Sequence, residues 1–326
     1  MNRLKTFFSQ YNLIFVALLV FLSCVMINSS FISQFSIMAL LQDVAIFGFL
    51  LLGGALVVLA GGIDLSVGNM ASMSSVLAAW VMMGLNSAKV PQGVNLILST
   101  AIPVLVCGIM GLLTGLSVTK LKIPPLIATL GMMWIVKGIG YYFLRGVPTP
   151  YPVKAFGVIF SGGFSFIPYS IIYFLVALII IGTALRKCKW GRSVYAIGGN
   201  EYAAYISGIK TDKIKCSVYM ISGLFAGFAG ILVGTYSTVG YPRACDGYEL
   251  YVIAAVVMGG IALTGGTGNI WNAALGILVL RLLNKLVLFG GQSGYMEGMI
   301  IGSIIIVMLI INSKQGKFEL KKMLGR

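Results

Sequence analysis

The sequence predicts an all-α protein that crosses a membrane several times. Hydrophobic residues make up 59% of its 326 residues and charged residues only 10%, whereas a soluble globular protein carries roughly 25% charged residues. Several uncharged stretches, such as Leu13–Ser33 and Val90–Thr119, reach the roughly 20 residues that a helix needs to cross the hydrocarbon core. The composition therefore excludes a soluble fold.

The histidine and cysteine content limits the kinds of catalytic and metal site that the chain can form. The chain has no histidine, and its five cysteines form no CxxC pair. The first observation excludes histidine-based acid–base catalysis and Ser-His-Asp triads. The second gives no indication of a disulfide framework or a zinc site. We therefore expect no catalytic residue, no metal and no cofactor.

The apolar runs divide the chain into ten expected spans. The first follows Arg3 and Lys5 and is an uncleaved helix, because the run lacks the A-x-A-like exit of a signal peptide. The spans cover residues 13–33, 37–60, 64–84, 96–118, 124–143, 167–185, 214–236, 249–264, 269–289 and 295–312. The third and the eighth are rich in glycine and are alternatively re-entrant, so that eight to ten helices are expected.

The basic residues indicate the orientation of these spans. With a cytoplasmic N-terminus, sixteen of the 23 Lys and Arg residues fall on the inner side and four on the outer side, as the positive-inside rule requires. This asymmetry accounts for the formal charge of +15 without nucleic-acid binding. We expect a single transmembrane domain, 1–326, with both termini cytoplasmic. Its parts outside the spans are residues 1–12, an outer loop at 144–166, an inner loop at 186–213 and a tail at 313–326.

Two glycine-rich segments resemble each other. VVLAGGIDLSVG at residues 57–68 aligns with VVMGGIALTGG at residues 256–266 through a shared GGI. In the expected topology both run inward, which indicates a parallel internal repeat; chance similarity between glycine-rich apolar segments is the alternative. Asp64 is a carboxylate at membrane depth, and its counterpart in the second copy is Ala262. We favour a capping or gating role for Asp64 over direct substrate binding.

Other charged residues also fall within the spans. Lys137 is expected to snorkel to the membrane surface. Arg281 and Lys285 are four residues apart and share a helix face, and Glu297 is a candidate to neutralise one of them. Asp43 either lines a central pathway or lies at the membrane interface.

The inner loop contains a short helix that needs a partner. Asn200 is a good N-cap residue, Glu201 is favourable in a first turn, and Gly208 is typical of a helix end. About two turns are expected between hinges at Gly199 and Gly208, with Gly198 and Gly199 forming a flexible turn. A helix of this length is unstable alone in water. It therefore docks onto the membrane surface or onto another protein, and the residues themselves leave both open.

This loop resembles that of the ribose/galactose-type permeases of ATP-binding-cassette (ABC) sugar importers. Their signature GR-x-x-YAIGGN-x-x-AA-x-x-SGI is matched from Gly191 to Ile209. The resemblance extends in the same order to GGIDLSVG at 61–68, LKIPPLIATLGMM at 121–133, and GYELYVIAAVVMGG with TGGTGNIWN between 247 and 272. It implies that the loop couples the permease to an ATPase subunit, in whose groove the short helix fits. The matching residues are Gly191, Arg192, Gly198, Gly199, Asn200, Glu201, Ala203, Ala204 and Gly208.

The resemblance also implies partners. Two permease chains, identical or homologous, enclose a translocation path in a bacterial inner membrane, within membrane lipid. Cassette ATPases bind below and use the ATP, and a periplasmic or lipid-anchored sugar-binding protein delivers cargo from outside. We expect the path or its gate to include Asp43, Gly61, Gly62, Asp64, Ser66 and Thr264. We expect the binding protein to contact Arg145, Lys154, Arg243 and Asp246.

Two other functions stay open at this point. One is an ABC permease for branched-chain amino acids or nucleosides, which shares the architecture. The other is an ion-coupled secondary carrier that works alone. An intramembrane enzyme is disfavoured, because the sequence has no histidine and no paired carboxylates at a useful spacing.

Overall fold

A computed structural model describes residues 2–291 and, beyond them, residues 296, 298, 299, 302, 303 and 306; for residues 2–12 it describes the backbone alone. The helices are α1 (Asn2–Ile27), α2 (Gln34–Leu59), α3 (Val67–Ser87), α4 (Gln92–Thr119), α5 (Pro125–Leu144), α6 (Lys154–Phe156), α7 (Tyr169–Lys187), α8 (Lys189–Gly199), α9 (Glu201–Ile206), α10 (Thr211–Ser237), α11 (Tyr248–Met258) and α12 (Ile270–Phe289). A 3-10 turn, Ser29–Ile32, follows α1, and a π-helical turn, Gly157–Ser161, follows α6.

Seven of the described helices are long and apolar enough to cross a membrane. They are α2, α3, α4, α5, α7, α10 and α12. The apolar part of α1, Leu13–Ile27, is shorter. The fold is therefore the all-α, membrane-spanning architecture that the sequence predicts.

The expected spans 64–84 and 249–264 have different outcomes. The first is the 21-residue helix α3. The second is wrong as a full crossing, because α11 has only 11 residues, which is about 16 Å of helix. Within the expected span 295–312 the structure describes only six residues. Glu297 and the tail 313–326 lie outside the described residues.

Helices α2, α3 and α10 form the centre of the molecule. α2 is buried almost without interruption from Val44 to Leu59, and small residues on α10 let its neighbours approach closely. A Cβ atom at Gly223 would lie 2.1 Å from the Cys107 carbonyl oxygen of α4, and one at Gly230 would lie 2.1 Å from a carbonyl oxygen of α3. Helices α4 and α5, in contrast, carry many exposed apolar side chains, as expected where lipid surrounds a chain.

The described part of the chain has four two-residue strands, which lie in the loop before α7 and in the segment after α10. β1 (Thr149–Pro150) pairs antiparallel with β4 (Val239–Gly240). β2 (Gly163–Phe164) pairs antiparallel with β3 (Ile167–Pro168). The first pair fastens the expected outer loop to the segment that links α10 to α11.

Candidate functional site: a glycine junction between two loops and the helix α8

The two similar glycine-rich segments end their helices in the same way. α2 is followed by Gly61 with a φ of +78°, and α11 by Gly260 with a φ of +77°. After α2 the amide of Gly62 donates to the Val57 carbonyl over 2.9 Å. After α11 the amide of Ile261 donates in the same way to the Val256 carbonyl over 3.1 Å. Both ends therefore have the hydrogen-bond pattern of a Schellman motif, in which a left-handed glycine closes the helix.

This geometry corrects the alignment of the two segments by one residue. Gly61 corresponds to Gly260 and not to Gly259, because these two glycines share the left-handed conformation. The counterpart of Asp64 is accordingly Leu263 instead of Ala262. The second copy still lacks a carboxylate, so that whatever Asp64 does belongs to one half of the repeat.

Helix α8 brings the two loops together through glycine backbones. The amide of Gly266, in the loop after α11, donates to the Leu59 carbonyl at the end of α2 over 3.0 Å. Gly198 of α8 packs on this hydrogen bond: a Cβ atom there would lie 1.9 Å from Leu59 O and 2.4 Å from Gly266 N. Gly265 packs on Gly61, with a Cβ position 2.8 Å from its Cα atom. We call Gly61, Gly198, Gly265 and Gly266 the glycine junction.

The expectation of a flexible turn at Gly198 and Gly199 is wrong. Both residues close the 11-residue helix α8, which sequence reasoning missed. Gly198 is needed for close approach, whereas a Cβ atom at Gly199 would meet no atom of the described residues within 4 Å. The two glycines therefore differ in what they contribute.

A side-chain hydrogen bond adds to the contact between α8 and the α11–α12 loop. The Tyr195 hydroxyl donates to the Gly268 carbonyl oxygen over 3.0 Å. Partial burial raises the pKa of Tyr195, so the hydroxyl stays protonated and remains a donor. Gly191, near the start of α8, also requires its small size, since a Cβ atom there would lie 2.3 Å from the Leu185 Cα atom of α7. Arg192 is exposed and donates to the Lys187 carbonyl at the end of α7 over 3.1 Å.

Asp64 connects the α2–α3 loop to α10. Its side chain is buried, with 4% of the residue exposed. One carboxylate oxygen accepts bonds from the Ser66 amide (2.9 Å) and the Ser66 hydroxyl (2.6 Å), and the other accepts from the Ser222 hydroxyl of α10 over 2.9 Å. The carboxylate thus holds the residue before α3, not the amides within α3. Gly62, in the same loop, lies against Tyr219 of α10.

The short helix of the inner loop forms as predicted. Asn200 caps α9 by accepting a bond from the Ala203 amide over 2.9 Å, and it is also the C-cap of α8. The helix covers Glu201–Ile206 and is followed by Gly208 with a φ of +83°. Glu201 forms an ion pair with Lys215 of α10.

The exposed face of α9 is aromatic, which the sequence reasoning did not identify. Ala204 is buried, whereas Tyr202 and Tyr205 are 74% and 66% exposed. Next to them lies a cavity of about 720 Å³, bounded by the α4–α5 loop and the start of α10. Four lysines line it, namely Lys120, Lys122, Lys210 and Lys213. The side chain of Lys120 is paired with Asp212 over 2.8 Å, and this hydrogen bond raises its pKa.

The other expected site residues lie away from the glycine junction, with one exception. Thr264 belongs to the α11–α12 loop, and its carbonyl oxygen lies near Gly61. Arg145 and Arg243 are exposed on loops, and Lys154 is exposed at the start of α6. Asp246 accepts from Lys137 over 2.8 Å and from Arg243 over 3.4 Å. Lys137 thus has an acidic partner that the sequence did not identify, and its snorkelling to the membrane surface stays a prediction.

Asp43 and Lys285 form an ion pair across α2 and α12. Their side-chain atoms are 3.1 Å apart, so that Lys285 has a neutralising partner other than the Glu297 considered from the sequence. Asp43 lies sixteen residues before the end of α2, which is about 24 Å along the helix. It is thus remote from the glycine junction.

The chain matches a protein family over most of its length. Residues 36–309 match the family described as branched-chain amino acid transport system / permease component. The ribose import permease of Bacillus subtilis is 35% identical over 89% of this chain and 88% of that protein. The galactose/methyl galactoside import permease of Escherichia coli is 30% identical over 92% and 93%, and the L-arabinose ABC transporter permease of Azospirillum brasilense is 29% identical over 93% and 87%. No solved structure matches the chain.

Proposed function

The chain belongs to the branched-chain amino acid transport system / permease component family, and from this premise we propose that it is the membrane permease of an ABC importer for a monosaccharide. The substrate class rests on the named cargo of its relatives, which are ribose, galactose and L-arabinose permeases. The chain itself performs no covalent chemistry and binds no cofactor. A separate ATPase subunit supplies the energy.

The observation that carries this proposal is the position of Gly198 between the ends of the helices α2 and α11. A force on α9 reaches α8 through Asn200, which caps both helices. From Gly198 it reaches the ends of α2 and α11, since the Leu59 carbonyl and the α11–α12 loop are in direct contact with this residue. The hydrogen bond between Asp64 and Ser222 extends the connection to α10. A rigid-body movement of α9 is thereby converted into a movement of α2, α10 and α11.

The partners follow from the surfaces at the two ends of these helices. The ATPase docks on the exposed tyrosines of α9 and on the lysine-lined cavity beside them. A sugar-binding protein docks at the opposite end, near the exposed Arg145, Lys154 and Arg243. Two permease chains, identical or homologous, enclose the path, with lipid around them. The distribution of basic residues supports cytoplasmic termini in a bacterial inner membrane.

Reconstitution in proteoliposomes tests the proposal. The chain is combined with its ATPase and binding protein, and uptake of labelled ribose, L-arabinose and galactose is measured with and without ATP. We expect ATP-dependent uptake of at least one of these sugars. Uptake of leucine or adenosine instead would favour the amino acid or nucleoside alternative. Accumulation by the chain alone under a proton or sodium gradient would refute the proposal and favour a secondary carrier.

A further inference from the structure

A cavity of about 230 Å³ lies between α2, α10 and α11, remote from the glycine junction. Its wall contains one carboxylate, Asp43, and four aromatic side chains, Phe47, Tyr236, Tyr241 and Tyr248. Its volume is below the roughly 300–1,000 Å³ of sites for drug-sized molecules. The cavity therefore has room for a small ligand of the size of one sugar ring.

We propose that this cavity is a monosaccharide-contact site within the permease itself. The inference rests on the proposed function and adds to it the residues that touch the sugar. A sugar ring presents C–H groups on its faces and hydroxyls around its edge. Aromatic rings cover the faces, while carboxylate and phenol oxygens bond to the hydroxyls. Both kinds of group converge on this cavity.

Asp43 of the cavity wall belongs to an ion pair. Asp43 is paired with Lys285 over 3.1 Å, and both side chains remain about one-fifth exposed, at 20% and 17%. The pair has no net charge, yet a carboxylate has about four acceptor positions and an ammonium group three donors, so hydrogen-bonding capacity is left for hydroxyl groups. Asp43 lies in the long apolar helix α2, and a carboxylate in such a helix is itself a sign of function, because its burial is costly.

Two of the aromatic rings in the wall are fixed by their neighbours, and a third is exposed. The rings of Phe47 and Tyr248 are stacked, with centroids 4.3 Å apart and an interplanar angle of 29°. The guanidinium group of Arg281 lies over the Phe47 ring, 4.2 Å from its centroid. Tyr236, in contrast, is 44% exposed. The fixed rings provide a preformed surface, and Tyr236 is the ring that a ligand can cover.

The cavity lies on the same helices as the glycine junction. Its walls come from α2, α10 and the start of α11. The glycine junction contacts the opposite ends of α2 and α11, and Asp64 bonds to Ser222 in the middle of α10. A shift at the glycine junction therefore changes the cavity about 24 Å away along α2. Contact with the sugar is expected to be weak, because a conducting path must release what it binds.

The test uses the complete importer and whichever of ribose, L-arabinose and galactose it transports. Tyr236→Ala should lower the maximal uptake rate about two- to tenfold, which is the range for one aromatic contact. The double variant Asp43→Asn/Lys285→Gln removes both charges together and should have a similar effect. Tyr142→Ala is the matched control, since Tyr142 is 81% exposed on α5 and outside the cavity. Retention of the ATPase during purification shows that each variant is assembled.

A direct measurement complements the uptake assay. In a Tyr236→Cys variant in which the exposed Cys188 is replaced by serine, the transported sugar should slow labelling by a thiol reagent several-fold, and leucine should not. Wild-type uptake combined with unchanged uptake in the cavity variants and no protection would overturn this inference alone. Absence of sugar uptake by the wild type, together with absence of protection in the Tyr236→Cys variant, would overturn the proposed function as well as this inference.

Discussion

Replacement of Gly198 by alanine tests the glycine junction at its tightest point. The added Cβ atom would lie 1.9 Å from the Leu59 carbonyl oxygen and 2.4 Å from the Gly266 nitrogen. Both atoms belong to backbones, so no side-chain rotation relieves the overlap. Helix α8 must therefore move away from the two loops, or the loops must separate from each other.

The expected cost follows from two contributions. Overpacking of a well-packed site destabilises a protein by about 1–3 kcal/mol. Loss of the hydrogen bond between Gly266 N and Leu59 O, which spans 3.0 Å, adds about 1 kcal/mol. We expect the free energy of unfolding to fall by about 2–4 kcal/mol, and sugar uptake per ATP hydrolysed to fall because α8 no longer moves with α2 and α11.

Thiol reactivity provides the assay, because Cys24, Cys107 and Cys245 are buried and react only when the chain opens. The temperature at which they become reactive in detergent is compared between Gly198→Ala and the control Gly199→Ala. At position 199 a Cβ atom meets no described atom within 4 Å, so the control should behave as the wild type. Equal unfolding temperatures and equal uptake in the two variants would refute the role assigned to Gly198.

Further expectations concern the short helix and the buried carboxylate. Glu201→Lys replaces the partner of a lysine on α10 by a like charge and should reduce co-purification of the ATPase while membrane insertion is retained; normal sugar uptake would contradict this. A cysteine at the exposed Tyr205 should cross-link to the ATPase, whereas one at the buried Ala204 should not, and the opposite result would place the contact elsewhere. Ser222→Ala removes the 2.9 Å hydrogen bond to Asp64 and should destabilise the chain by about 1.5–3 kcal/mol, measured by the same thiol assay; an unchanged midpoint would show that water replaces the hydroxyl.

What the sequence predicts correctly is local. The N-cap at Asn200 and the helix end at Gly208 depend on residues within a few positions, and both are confirmed. The apolar spans are likewise set by continuous composition, and seven long helices follow them. The resemblance to sugar permeases agrees with the family and relatives that the chain matches.

What the sequence does not predict depends on contacts between distant segments. The pair Gly198–Gly199 has the composition of a turn, and the closeness of Leu59 and Gly266 explains why a glycine is needed at position 198 of the helix. The pairing of Asp43 with Lys285 joins α2 to α12. Composition indicates that such charges need partners but does not identify them.

Asn200 is the C-cap of α8 and the N-cap of α9, so no flexible linker separates the two helices. A longer linker would be flexible, and part of any displacement of α9 would be lost before it reached α8. With a single residue between the two helices, a displacement of α9 by the proposed ATPase would reach α8 nearly undiminished. Under the proposed coupling, insertion of a few residues after Asn200 should leave ATP hydrolysis unchanged and lower sugar uptake.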